Sequence, residues 1–289
     1  MSQSGAVAFN TPSGKQASDE NFPVGSFLLP AHLRPHVATF YAFARNSDDI
    51  SDNSTLAPDD KVERLDRLEA ALNGEFQQDL TLTNAHEVRR SLNELGIGVQ
   101  HAIDLLSAFK QHAKKNRYAS WAELMDYCER SANPVGRYLL DIHGENKEDY
   151  VMSDALCGAL QVINHLQDIK DDYIEMNRVY LPADWMAAHN VELNDLAAQS
   201  ASKNVRALLD QCIAGVQELL TISKPLALGM KSRRLAAETA AIQQLAETLA
   251  KKLSYEDPIA TRVALPKAKL IAYAFSGVAM TMTRRLFSS

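Results

Sequence analysis

Twice in this chain, aspartates spaced four residues apart lie inside a segment otherwise apolar enough to be buried. That pairing restricts the fold more than any other feature. The first run reads Arg45-Asn46-Ser47-Asp48-Asp49-Ile50-Ser51-Asp52 and follows an apolar, helix-forming stretch over residues 37–44. At about 100° per residue, Tyr41, Arg45, Asp48 and Asp52 fall within roughly 60° of arc. One helix face therefore carries a phenol, a guanidinium and two carboxylates. The second run reads Gln161-Val162-Ile163-Asn164-His165-Leu166-Gln167-Asp168-Ile169-Lys170-Asp171-Asp172. By the same arithmetic Gln161, Asn164, His165, Asp168 and Asp172 share a face about 100° wide. Carboxylates at i and i+4 can share a hard cation, and an arginine one turn away can hold an anion bound to that cation. If the two faces meet, four carboxylates in a partly dry site repel one another by an energy on the order of several kcal/mol. Mg²⁺ relieves such repulsion and usually arrives with substrate phosphates. A single acidic run at a helix end is most often solvated; two, each with polar partners on the same stripe, point to a site.

The rest of the chain argues for helices throughout. Only 12 glycines occur in 289 residues, and no sustained alternation of apolar and polar residues marks a strand. An all-α, single-domain fold over residues 19–289 is expected, with residues 1–18 a disordered tail that lacks the charge cluster and apolar core of a secretory signal. Helices are expected over 30–52, about 58–72, 85–95, 99–115 and 120–142, the last interrupted at 131–136. A long helix over 149–175 carries the second acidic run, and a short loop follows over 177–182. One or two brief helices fall within 185–198, and longer ones over 203–222, 231–253 and 266–287. Asn73-Gly74 reads as a turn. The formal charge of −6 comes with no basic stripe, which argues against a nucleic-acid partner. Cys128, Cys157 and Cys212 lack metal-ligand or disulfide spacing and read as reduced thiols of a cytoplasmic protein. No apolar run reaches the roughly 20 residues needed to span a bilayer.

At the acidic runs the sequence resembles the head-to-head prenyl synthases, the squalene and phytoene synthase family. The matching pieces are Tyr41-Ala42-Phe43-Ala44-Arg45 leading into Asp48-Asp49-Ile50-Ser51-Asp52, the face of Gln161, Asn164, Asp168 and Asp172, and Arg178-Val179-Tyr180-Leu181-Pro182. The likeness runs from about residue 22 to residue 269. Asn21-Phe22-Pro23-Val24, Asn133-Pro134-Val135-Gly136-Arg137 and Asn164-His165-Leu166-Gln167-Asp168 resemble most the bacterial hydroxysqualene synthases of hopanoid pathways.

The resemblance implies an isoprenoid synthase fold with a central apolar cavity, and a site in which Asp48, Asp52, Asp168 and Asp172 hold Mg²⁺ ions that bind diphosphate. Diphosphate is a poor leaving group until metal and cationic donors neutralise it, so these carboxylates suit that chemistry. Asn164 joins them as a metal-shell or diphosphate ligand. Arg45 is placed for a diphosphate oxygen; the plainer alternative, an ion pair with Asp49 at i+4, weighs less because Arg45 lies on the motif stripe. Tyr41, Tyr127 and Tyr255 match active-site tyrosines of the family, each equally readable as a core aromatic. Gln161, Arg178, Tyr180, Arg262 and Lys267 complete the substrate-binding candidates. His165 stands where the family more often has an apolar residue; it is either a satisfied structural histidine or the group that orients a water near the cation.

The reaction so implied is Mg²⁺-dependent ionisation of presqualene diphosphate, rearrangement, and capture by water to give hydroxysqualene. An enzyme that makes presqualene diphosphate and one that reduces hydroxysqualene are then pathway neighbours. Glu20-Asn21, ahead of Phe22-Pro23, replaces the Ser/Lys-type residues of condensing members, and a carboxylate facing diphosphate is repulsive; joining two farnesyl diphosphates is therefore not expected. Rival readings are presqualene diphosphate, squalene or phytoene synthesis, and a non-catalytic helical binding protein. A di-metal carboxylate bundle would need Glu-x-x-His pairs that the acidic helices lack. Residues 266–287, apolar and flanked by Lys267, Lys269, Arg284 and Arg285, suit either a bundle-closing helix or peripheral contact with a membrane surface.

Overall fold

In a computed structural model, described over residues 29–266 and 278–279, the chain is all-α apart from one two-stranded ribbon. The contacts divide it between Lys115 and Asn116 into two compact units.

The first unit holds α1 (Arg34–Asp52), α2 (Pro58–Leu72), α3 (Thr83–Glu94) and α4 (Gln100–His112). Proline in the first turn starts both α1 and α2, where its missing N–H costs no helical hydrogen bond. Asp59 and Asp60 then complement the positive end of α2. Val37, Phe40, Phe43 and Ile50 bury one side of α1 against α3 and α4, which leaves Tyr41, Arg45, Asp48 and Asp52 half-buried. His36 Nδ1 meets Ser91 Oγ at 2.7 Å, tying α1 to α3. Lys110 pairs with both Asp66 and Glu69, tying α4 to α2.

The second unit is built on α7 (Tyr150–Gln167). Around it pack α5 (Trp121–Ser131), α6 (Asn133–Ile142), α10 (Lys203–Ser223) and α12 (Arg233–Leu253). The buried alanines of α12, including Ala236, Ala240 and Ala246, let that helix lie close to its neighbours. The shorter α8 (Ile169–Met176), α9 (Ala183–Ala188) and α11 (Leu226–Gly229) complete the set. Burial pushes the thiols of Cys128, Cys157 and Cys212 up to about 12, and none of the three forms a disulfide.

Two expectations are corrected here. The helix expected over 149–175 is interrupted at Asp168, whose backbone (φ −103°, ψ 8°) departs from helical angles between α7 and α8, although its amide still donates to Asn164 O and its carbonyl accepts from Asp172. The residues around the break are held by distant chain: Gln167 donates to Val263 O at 2.5 Å, Asp168 accepts from Arg262, and Lys170 donates to Ala198 O and Ile259 O. Helical periodicity cannot encode these long-range tethers. The loop expected over 177–182 is instead a strand from Val179 to Pro182, β2, paired in parallel with β1 (Arg117–Tyr118). Every residue of β2 is buried, so its β-branched and aromatic side chains pack in a ribbon rather than face water. Asn177, left-handed at φ 51°, turns the chain from α8 into it. No helix of the described residues is long and apolar enough to cross a membrane. The tail 1–18, the segment 21–24 and nearly all of the helix expected over 266–287, Lys267 included, lie outside the described residues.

Candidate functional site

In the first unit the acidic run occupies the last two turns of α1. Arg45 Nη1 donates to Asp48 Oδ2 at 3.0 Å, and its Nη2 lies 2.8 Å from Asp49 Oδ1. The ion pair with Asp49, given less weight on the stripe argument, is therefore made. Arg45 bridges both carboxylates, because its fork reaches i+3 and i+4 together. One donor atom each from Asp48, Asp52 and His112 lie within 4.8 Å of one another. His112 is the last residue of α4 and is buried. Its Nδ1 stands 3.8 Å from Asp52 Oδ1. Two carboxylates and an imidazole form a donor set that fits a divalent cation. Around it Arg45 is set against Asp48, Asp49 and Asp52, so negative charge is in excess locally. Sequence reasoning missed His112. The available signal was its place on the apolar stripe of α4, where Leu105 and Phe109 precede it at helical spacing.

In the second unit residues from four elements converge. The His165 ring on α7 stacks on Tyr180 of β2, centroids 3.4 Å apart and planes 8° from parallel. Gln161, one turn earlier, brings Nε2 within 3.2 Å of His165 Nε2. Tyr127 of α5 lies 6.2 Å from Tyr180 and 6.5 Å from His165 by ring centroids. Tyr118 of β1 stacks on the far side of the group, 5.6 Å from Tyr180 and 5.3 Å from Tyr127. Nothing in the sequence marked Tyr118, an isolated aromatic between two helical patterns. Burial, and next the neighbouring Tyr127, raise the Tyr180 phenol well above its ordinary range, so it stays neutral. Beside these rings a cavity of about 10 Å³ is lined by Val162, His165, Asp172, Arg178, Tyr180 and Cys212. That is about the least volume that admits one water molecule. Arg178 is buried, with Nη1 on Met176 Sδ at 3.2 Å.

The two halves of the second run differ in company. Asp172, on α8, faces the cavity. Asp168, at the break, is engaged by Arg262, whose Nε lies 2.5 Å from Oδ1. That hydrogen bond raises the guanidinium pKa further. Asn164 is half-buried one turn before Asp168, and its carbonyl accepts the Asp168 amide at 3.0 Å. Among the described residues, no group of three His, Cys, Asp or Glu donors comparable to the first forms here. Tyr255, 68% exposed beyond the end of α12, is not brought to the aromatic group. Tyr41 is half-buried on the polar side of α1.

Comparison with known proteins bears on this arrangement. A family model described as squalene/phytoene synthase matches residues 15–269. A hydroxysqualene synthase of Zymomonas mobilis is 42% identical over 278 residues, covering 96% of this chain and 91% of that protein. One of Rhodopseudomonas palustris is 40% identical over 275 residues, covering 95% and 93%. Among solved structures, a squalene synthase of Alicyclobacillus acidocaldarius superposes with a TM-score of 0.72 at 31% identity, covering 81% of this chain and 88% of that one. A dehydrosqualene synthase, at 19% identity and a TM-score of 0.75, shares the fold.

Proposed function

The chain belongs to the squalene/phytoene synthase family, and from that premise we propose that it converts presqualene diphosphate and water to hydroxysqualene and diphosphate. What carries the reading is the group formed by His165, Tyr180 and Gln161 beside Asp172 and Arg178: aromatic walls, with polar atoms at a cavity the size of one water. The likeness to hydroxysqualene synthases over nearly the whole chain supports it.

Asp48, Asp52, Asn164, Asp168 and Asp172 are the residues that would hold Mg²⁺, which when bound neutralises the diphosphate so that it can leave. Arg45, Arg178, Arg262 and Lys267 supply the remaining positive charge toward diphosphate oxygens. The carbon–oxygen bond of the substrate breaks with its electron pair on diphosphate. Tyr41, Tyr127 and Tyr180 are the proposed aromatic contacts of the isoprenoid, rings whose faces tolerate a cation without trapping it. Asn164 and His165 hold the water that forms the new carbon–oxygen bond, and the proton it loses passes to the His165 imidazole. A dry wall elsewhere keeps other nucleophiles away. The working place of the protein is cytoplasmic, with residues 266–287 contacting the membrane surface from which a C30 lipid is drawn.

The decisive experiment is incubation with presqualene diphosphate and Mg²⁺ in ¹⁸O-water, with and without NADPH. A labelled alcohol formed without nicotinamide is the expected product. A C30 hydrocarbon that forms only with NADPH, or an unlabelled alcohol, refutes the assignment. Within the reading, His165→Ala lowers the alcohol fraction more than it lowers diphosphate release.

A further inference from the structure

We propose that His112 supplies a nitrogen ligand to the cation held by Asp48 and Asp52, making the first acidic run a mixed carboxylate–imidazole centre. This rests on the reading above that those two aspartates hold a cation, and goes beyond it in ligand and in metal preference. The cluster is more than neighbouring acids. His112 comes from a different helix, is 6% exposed, and turns Nδ1 toward Asp52 at 3.8 Å. A direct hydrogen bond from the ring to that carboxylate would bring the atoms within about 3.2 Å. Two ligands on one ion, with bonds of about 2.1 Å, lie between about 3.0 Å apart when adjacent and about 4.2 Å when opposite. The observed 3.8 Å falls in that range, and the 4.8 Å within which all three donors lie exceeds its upper end by about 0.6 Å, a gap that small side-chain rotations can close.

The chemistry of the donors sets the preference. Carboxylate and water oxygens suit Mg²⁺, whereas imidazole suits borderline ions such as Mn²⁺ and Co²⁺. Arg45 holds Asp48 Oδ2 from one side, which fixes that carboxylate and orients its other oxygen. Burial of the His112 ring on α4 fixes the third ligand in the same way. The centre therefore binds Mn²⁺ more tightly than Mg²⁺, and the difference resides in His112.

The test uses the full chain without substrate, titrated with Mn²⁺ and followed by electron paramagnetic resonance. Pulsed measurement of the bound ion should reveal a directly coordinated ¹⁴N. In His112→Gln, checked for helicity by circular dichroism, the ¹⁴N coupling disappears and Mn²⁺ affinity falls about tenfold or more, while Mg²⁺ affinity falls less. The coupling should survive in Asp168→Asn and His165→Gln, which alter the other acidic run. Bound Mn²⁺ lacking ¹⁴N in the wild-type chain overturns the proposal without any variant, as does a coupling retained in His112→Gln or lost in His165→Gln. Mn²⁺ binding unchanged in both Asp48→Asn and Asp52→Asn would instead defeat the underlying reading of the acidic run.

Discussion

Gly136 is the position where the addition of one methyl group has the most readable consequence. It lies on α6 against α7, and a Cβ built there meets Ser153 Oγ at 2.4 Å and Cys157 Sγ at 2.6 Å. Nonbonded heavy atoms are most favourably spaced at about 3.5–4.0 Å, so both contacts are about 1 Å too short. Neither neighbour has room to turn aside, because Ser153 is buried and the Cys157 sulfur accepts the Gly136 amide. Over-packing of this kind costs about 1–3 kcal/mol. Alanine regains about 0.5–1 kcal/mol of helix propensity over glycine. The net loss is then between about 0 and 2.5 kcal/mol, which for a protein of this size lowers Tm by up to about 10 °C. Differential scanning calorimetry of Gly136→Ala against wild type measures it. In a Ser153→Ala, Cys157→Ala background both obstructing atoms are gone, and the same substitution should be neutral or stabilising. A Gly136→Ala protein melting above wild type, or shifting equally in the Ser153→Ala, Cys157→Ala background, would refute the close-approach account of α6 and α7.

Asp48→Asn, Asp52→Asn, Asp168→Asn and Asp172→Asn should each lower turnover of presqualene diphosphate about 10²-fold or more; steady-state rates near wild type for the Asp168 and Asp172 variants defeat their proposed role. Asp149 is buried, and burial followed by the neighbouring Glu145 raises its carboxyl pKa. A carboxyl raised on folding favours the folded state while protonated and ceases to do so as pH climbs above the ordinary carboxylate range. Asp149→Asn should therefore raise Tm at pH 7 and change it less at pH 4; equal shifts at both pH values would show that the charge is not the cause. Replacement of Lys267, Lys269, Arg284 and Arg285 by glutamine should reduce flotation with anionic liposomes, and flotation equal to wild type would leave residues 266–287 as a bundle-closing helix.

What was legible in the sequence is what helical periodicity encodes. The stripe of Val37, Phe40, Phe43 and Ile50 predicts which side of α1 is buried, and Tyr41, Arg45, Asp48 and Asp52 follow on the other. Within Asn133-Pro134-Val135-Gly136-Arg137, three residues have a physical reading. Pro134 starts α6, Gly136 permits close approach to α7, and Arg137 forks onto both oxygens of Asp154, with Nε at 2.9 Å from Oδ1 and Nη2 at 2.5 Å from Oδ2. The interruption at Asp168 was not legible, and the groups that engage its neighbours lie 28 to 96 residues away along the chain. Nor was β2, a strand of four residues whose pairing partner is the two-residue β1.

The two acidic runs show why spacing alone under-determines chemistry. Both place aspartates four apart, and both stand among apolar residues. Asp52 is met by the imidazole of His112 from α4, a ring that can offer a nitrogen to a cation. Asp168 is met by the guanidinium of Arg262, a permanent cation that engages the carboxylate. Equal sequence patterns therefore carry different partners. On the proposed reading, the third partner of the first run would strengthen binding of a cation. In the second, Arg262 would oppose a metal until diphosphate engaged the arginine, which would make metal and substrate binding there mutually dependent. Neither partner can be inferred from the aspartates, because each comes from a segment whose position only the tertiary fold decides.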